Sequence, residues 1–258
     1  MSQIALYGFN NLTKSLSFSL YKLHYLVGDN GMTHYKNFIN QNFNAAKLDV
    51  LLTDICHAIG GNVLNVAKQD YQPQGASVTL MISEEAQPEP FPVKKAMRNH
   101  EALVAHLDKS HLCIHTYPEV TPQDNIAIFR ADIELSTCGV ISPLKVINYV
   151  IEKFNADVVD IDYRVRGMTR DEQGKKLFID AEIANISDHL SPKLVTGFTV
   201  KNHNLPKQNL YHAKLVKKDV LLKNYLFEYQ KNNFTIITAS KIKTQIEQEL
   251  KQLFSNSA

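Results

Sequence analysis

The sequence predicts an α+β sandwich, one antiparallel sheet covered by helices on one face. Three observations carry that expectation. Leu16, Phe18 and Leu20 alternate with Ser15, Ser17 and Ser19, the period of a strand with one buried face. Similar alternation returns in later segments, with helical periodicity between them. The chain then closes on Ile242, Ile246, Leu250 and Leu253, spaced as one apolar helical stripe.

Taken in order, the first strand is followed from Thr33 to Ile59 by Phe38, Phe43, Leu48, Leu51, Leu52, Ile55 and Ile59 at helical spacings. One long helix or two short ones would fit, and Gly60-Gly61 ends the run. Strands are expected at Val63 to Ala67 and Ser77 to Ser83, joined by a turn at Tyr71-Gln72-Pro73-Gln74-Gly75. Glu84 to Pro92 holds three prolines and three glutamates, which predicts an exposed loop. Leu112 to Tyr117 and Ile126 to Leu135 read as strands. Ser142-Pro143 offers an N-cap and a first-turn proline for a helix to about Phe154. Val159, Ile161, Tyr163 and Val165 alternate with charged residues as another half-buried strand. No internal repeat or low-complexity linker is visible, and 258 residues allow one large domain or two small ones.

Composition narrows the function classes. A hydrophobic content of 44% over 258 residues can build the core of an enzyme or binding protein. The 28 basic and 26 acidic residues form no long basic stripe, which argues against nucleic acid as a partner. The amino terminus has no basic region followed by an apolar run, and no stretch approaches a membrane span; a soluble, cytoplasmic protein with no membrane partner is expected. Cys56, Cys113 and Cys138 are too few and too widely spaced for a disulfide framework or a zinc site, so reduced thiols are expected.

Chemistry concentrates between Ala105 and Glu119, where a hydroxyl, three histidines, a thiol and carboxylates sit beside a predicted strand. In a regular strand Cys113, His115 and Tyr117 share one face, and Leu112, Ile114 and Thr116 the other. On spacing alone, such a histidine is more often a hydrogen-bonded structural residue than a catalyst.

The run Lys109-Ser110-His111-Leu112-Cys113-Ile114-His115-Thr116-Tyr117-Pro118-Glu119, followed by Ser136-Thr137-Cys138-Gly139, resembles the self-processing segment of bacterial S-adenosylmethionine decarboxylases. Gly8-Phe9-Asn10-Asn11-Leu12-Thr13-Lys14-Ser15-Leu16, Tyr71-Gln72-Pro73-Gln74-Gly75-Ala76-Ser77 and Ile161-Asp162-Tyr163-Arg164-Val165-Arg166-Gly167 extend the likeness, which is to the longer, enterobacterial type. It runs from about Ala5 to Ile183, and few residues match beyond Ser191.

The resemblance implies a single domain over 1–258, made as a proenzyme that cuts itself between Lys109 and Ser110 into a beta chain of residues 1–109 and an alpha chain of residues 110–258. Ser110 attacks the preceding carbonyl, the amide becomes an ester, and elimination followed by hydrolysis leaves an amino-terminal pyruvoyl group. That cofactor would form a Schiff base with S-adenosylmethionine and hold the electrons left by carbon dioxide. Carried over residue by residue, His115 promotes the elimination and Ser77 assists the acyl shift, both expected close to Ser110. Cys138 is the proton donor, in a setting just ahead of a predicted helix start that can activate a thiol. Tyr71 stacks on adenine, Glu119 binds the ribose hydroxyls, and Phe9 adds a second stacking face. Without the resemblance, Cys138 would read as a small buried hydrophobe, Tyr71 as turn packing and Glu119 as solvated loop. The family is similar in being magnesium-activated, so Mg2+ is an implied activator; Asp108, Asp132 and Glu134 lie near the site, and no ligand is assigned. His111 and Cys113 have no role, and Cys56 reads as core. A homo-oligomer of cleaved protomers is the implied assembly.

Three rivals remain at this point. A pyruvoyl-dependent arginine or ornithine decarboxylase would leave Tyr71 and Glu119 without adenine or ribose to bind. A non-catalytic regulatory paralogue would not need Ser110, His115, Ser77 and Cys138 intact. A serine or cysteine hydrolase has the groups but no nucleophile-elbow glycine pattern.

Overall fold

The structure, a computed structural model, describes residues 6–83, 110–122, 124–138, 141–227 and 235–257, with side chains from residue 11 onward. The short β1 (Leu6–Asn10) leads into β2 (Thr13–Tyr25), whose leucine and serine alternation places Leu16, Phe18 and Leu20 in the core. Two helices follow, α1 (Gly31–Asn42) and α2 (Ala45–Ile59). The second starts on Asn44, whose side chain accepts from the Lys47 amide, and ends on Gly60 in the left-handed region. β3 (Asn62–Asp70) and β4 (Ala76–Ser83) form a hairpin around the Tyr71 turn. β5 (His111–Pro118) and β6 (Ile126–Cys138) form the next pair. The expected Glu84–Pro92 loop, with Asp108 and Lys109, lies outside the described residues.

Beyond β6 the structure departs from one expectation. A 3-10 turn over Pro143–Val146 precedes α3 (Ile147–Phe154), and the Ser142 side chain makes no capping hydrogen bond. Pro143 opens the turn as expected, but regular α-helical geometry begins only at Ile147. The amides of the α3 amino terminus therefore do not follow Cys138 closely enough to activate its thiol as expected.

β7 (Val158–Arg166) completes the strands that were expected. The remaining third adds β8 (Thr169–Asp171), β9 (Lys176–Leu177), α4 (Pro192–Gly197), β10 (Phe198–Leu205), β11 (Leu210–Lys217) and α5 (Ile236–Ser255). Eight strands form one antiparallel sheet in the order β10-β11-β7-β2-β6-β5-β4-β3, while β1, β8 and β9 make a small separate sheet.

One face of the large sheet carries the main core. Leu16, Phe18 and Leu20 of β2, Val78 and Leu80 of β4, Leu112 and Ile114 of β5 and Ile133 and Leu135 of β6 are buried there against α1, α2 and α3. Each such side chain contributes about 1.5–3 kcal/mol by leaving water. The helical layer thus covers one face, as the alternation required. α5 adds something the stripe alone did not locate: Ile242, Ile246 and Leu250 pack with Leu23 and Val158 at one corner of the opposite face, where Tyr25 donates to Gln245 at 3.3 Å. The rest of that opposite face is polar, and it holds the candidate site. No helix among the described residues is long and apolar enough to cross a membrane.

Candidate active site

Strand register lays out the open face as rows. Paired residues project to the same side of a sheet, so each row can be read across neighbouring strands. Cys138 pairs with Thr13, which pairs with Arg166. The next row runs from Met81 through His111, Ser136 and Ser15 to Arg164. Below it lie Thr79, Cys113, Glu134, Ser17 and Asp162, and then Ser77, His115, Asp132, Ser19 and Asp160. The expected faces of β5 hold: Leu112, Ile114 and Thr116 are buried, while His111, Cys113, His115 and Tyr117 lie on the open side.

Ser110 and Cys138 meet at one end of these rows. Ser110 is buried at the start of β5, its carbonyl accepts from the Ile82 amide at 2.9 Å, and its Oγ accepts from the Cys138 amide at 3.0 Å. The Cys138 thiol is exposed, with Thr13 Oγ1 at 4.0 Å, so it is not the small buried hydrophobe that composition alone suggested. Beside them is a cavity of about 160 Å³ lined by Ser15, Ser17, His111, Glu134, Ser136 and Arg166. Arg166 donates to Ser15 Oγ at 3.2 Å. The sequence reading gave Arg166, Ser15 and Ser136 no role; the signal available was their place in the matching segments. The residues at Ser110 fit a pyruvoyl group, because the Cys138 amide is a donor that a carbonyl oxygen can use.

His115, Ser77 and Tyr71 form a second cluster. Ser77 pairs with His115, and Tyr71 Oη donates to Ser77 Oγ at 2.7 Å. Both were expected close to Ser110, and within one chain they are not. His115 follows Ser110 by five positions along β5, which at 3.3 Å per residue is about 16 Å. An extended strand cannot fold its own ends together, so the two clusters stay apart. Glu119 lies farther still, past the end of β5, where its carboxylate accepts from the Ile128 amide at 3.0 Å. It is half-buried and anchored rather than a solvated loop residue. Phe9 lies on β1, which pairs with β8, and its side chain is not among those described.

Burial separates the thiols. It pushes both Cys56 and Cys113 up to about 11, with the Glu134 carboxylate adding to the effect on Cys113. Cys56 is core, as expected. Among the described residues no three His, Cys, Asp or Glu side chains are grouped to hold a metal ion, and Asp132 is instead paired with Arg130 at 3.2 Å.

Residues 40–167 match the family model described as S-adenosylmethionine decarboxylase. The S-adenosylmethionine decarboxylase proenzyme of Pseudomonas syringae pv. tomato is 45% identical over 98% of this chain and 97% of its own. Its counterpart in Stenotrophomonas maltophilia is 46% identical over 98% and 96%. Among solved structures, the adenosylmethionine decarboxylase from Aquifex aeolicus is similar over 68% of this chain and 100% of its own, at 13% identity and a TM-score of 0.36.

Proposed function

The chain belongs to the S-adenosylmethionine decarboxylase family, and from that premise we propose that it decarboxylates S-adenosylmethionine to the aminopropyl donor of spermidine synthesis. It does so after cutting its own backbone between Lys109 and Ser110 into a 1–109 beta chain and a 110–258 alpha chain. The observation that supports this best is the setting of Ser110, whose buried Oγ is held by the Cys138 amide at 3.0 Å. One lone pair is engaged, so the remaining lone pair and the proton are confined to a narrow arc, which favours attack on a neighbouring carbonyl.

Once formed, the pyruvoyl group supplies a carbonyl for the substrate amine and takes up the electron pair released with carbon dioxide. Cys138 protonates the carbon that has lost carbon dioxide, and its exposure leaves the thiol reachable. The ring of Tyr71 stacks on adenine and offers its face to the sulfonium, with Phe9 as the second stacking face. Glu119 accepts from the ribose hydroxyls. Ser77 donates to the carbonyl under attack during processing, and His115 removes the proton in the elimination.

Because His115, with Ser77 paired beside it, lies about 16 Å along β5 from Ser110 of its own chain, the working unit is a homo-oligomer. Open sheet faces pack together, and Tyr71, Ser77 and His115 of one protomer meet Ser110 and Cys138 of another. Magnesium enters only as an activator with no assigned ligand, and no step depends on it. Three free cysteines among the described residues fit the cytoplasmic placement we propose.

The test is carbon dioxide release from S-adenosylmethionine, arginine and ornithine, assayed side by side on the purified chain. Release from the first alone is expected. Release from either amino acid, or none from S-adenosylmethionine, contradicts the reading.

A further inference from the structure

The hydrogen bond from Tyr71 to Ser77 joins a residue assigned to substrate with one assigned to self-cleavage. It is built on a fixed turn. The Tyr71 amide donates to the Gly75 carbonyl at 2.8 Å, closing the loop on itself. Thr116 Oγ1 accepts from the Ala76 amide at 2.8 Å and donates to the Ala76 carbonyl at 3.1 Å, tying the turn to β5 one residue beyond His115. Gly75 has φ +107°, and a Cβ there would stand 2.9 Å from the Thr116 carbonyl oxygen, so the close approach needs glycine. The phenol hydroxyl of Tyr71 is thereby held at 2.7 Å from Ser77 Oγ, beside His115 in register.

We infer that Tyr71 is a positioning residue for self-cleavage, its hydroxyl aiming that of Ser77 at the carbonyl that precedes Ser110 of the neighbouring protomer. This rests on the role given to Ser77 above. A serine hydroxyl has one proton and two lone pairs. Donation from Tyr71 fills one lone pair, turns the Ser77 proton outward and polarises the O–H bond into a stronger donor. The step served is the acyl shift. Ser110 Oγ forms a bond to the carbonyl carbon, and the π pair moves onto the carbonyl oxygen, where Ser77 donates. When that pair returns, the C–N bond breaks, the Oγ proton passes to the departing nitrogen, and an ester and an amine remain.

The experiment follows cleavage of freshly synthesised full-length chain by intact mass, for the natural sequence, Tyr71→Phe, Ser77→Ala, the double variant and His115→Ala, each with and without hydroxylamine. Tyr71→Phe should cleave roughly tenfold more slowly, about 1.4 kcal/mol of barrier. Hydroxylamine should not accelerate it, because an acyl-shift defect accumulates no ester; His115→Ala, blocked after the ester, should be cut by hydroxylamine. The double variant should be no slower than Ser77→Ala. Cleavage of Tyr71→Phe at the natural rate, its rescue by hydroxylamine, or additive slowing in the double variant would each overturn the inference. If Ser77→Ala itself cleaves at the natural rate, the assignment of Ser77 fails and the inference with it, a result distinct from the failure of Tyr71 alone.

Discussion

Among single residues, the proposed chemistry rests on two groups joined by one hydrogen bond, the Ser110 hydroxyl and the Cys138 residue whose amide holds it at 3.0 Å. Their duties differ in time. Removing the Cys138 thiol leaves its amide, so Cys138→Ala should still self-cleave, while turnover of S-adenosylmethionine falls by about 10²–10⁴, the usual worth of a positioned acid. Fragment masses and a carbon dioxide assay on the same sample check both halves; normal turnover would remove Cys138 as the proton donor. The three cysteines should also separate by alkylation near neutral pH. Cys138 is exposed, whereas Cys113 and Cys56 are pushed up to about 11 and stay almost wholly protonated. Peptide mass analysis after brief iodoacetamide treatment should find the label on Cys138 first; preferential labelling of Cys113 would contradict the burial argument. The matching segments singled out Ser110 and Cys138 in the sequence, and the strand pairing brings the two together. The separation of His115 from Ser110 was available there as well, because five positions of an extended strand span about 16 Å, yet the sequence reading expected the two close together.

At the scale of elements, strand alternation was readable wherever one face is dry. β2, β4, β5 and β7 alternate because their neighbours bury one side and wet the other. β10 gave no such signal, because as an edge strand it is exposed on both faces over most of its length. β11 does alternate Tyr211, Ala213 and Leu215 with His212 and Lys214, a pattern the sequence offered. The contact of β2 with α1 also predicts a pH response. His24 is buried, stacked on Phe227 at 4.8 Å with Phe38 at 4.9 Å, and burial, helped by the Lys22 charge, holds its pKa down to about 3. Unfolded, the same imidazole titrates near 6.5. Between these values the unfolded chain binds a proton that the folded chain refuses, so stability is full above about pH 6.5 and falls as pH drops towards 3. Urea unfolding at about pH 7 and pH 4.5 should show a loss for the natural chain that exceeds the loss for His24→Phe by roughly 2–3 kcal/mol. Equal losses would mean that His24 is not held neutral.

At the scale of the whole molecule, a sheet with one dry face and one polar face divides its work. The helical side supplies cohesion, and the open side carries the candidate site residues in rows. If the site is shared between protomers, one defective chain should repair another. Ser110→Ala lacks the cleavable serine but keeps His115, while His115→Ala keeps Ser110. Co-expressed, the His115→Ala chains should be cut, and expressed alone they should not. Failure to cut in the mixture would confine each site to its own chain. Self-cleavage is read directly from the intact mass of the freshly purified natural chain. Two fragments are expected, residues 1–109 and 110–258, the second lighter by one ammonia than a chain beginning with serine. A single species at the full 29.2 kDa would mean that the chain does not process itself and makes no pyruvoyl group.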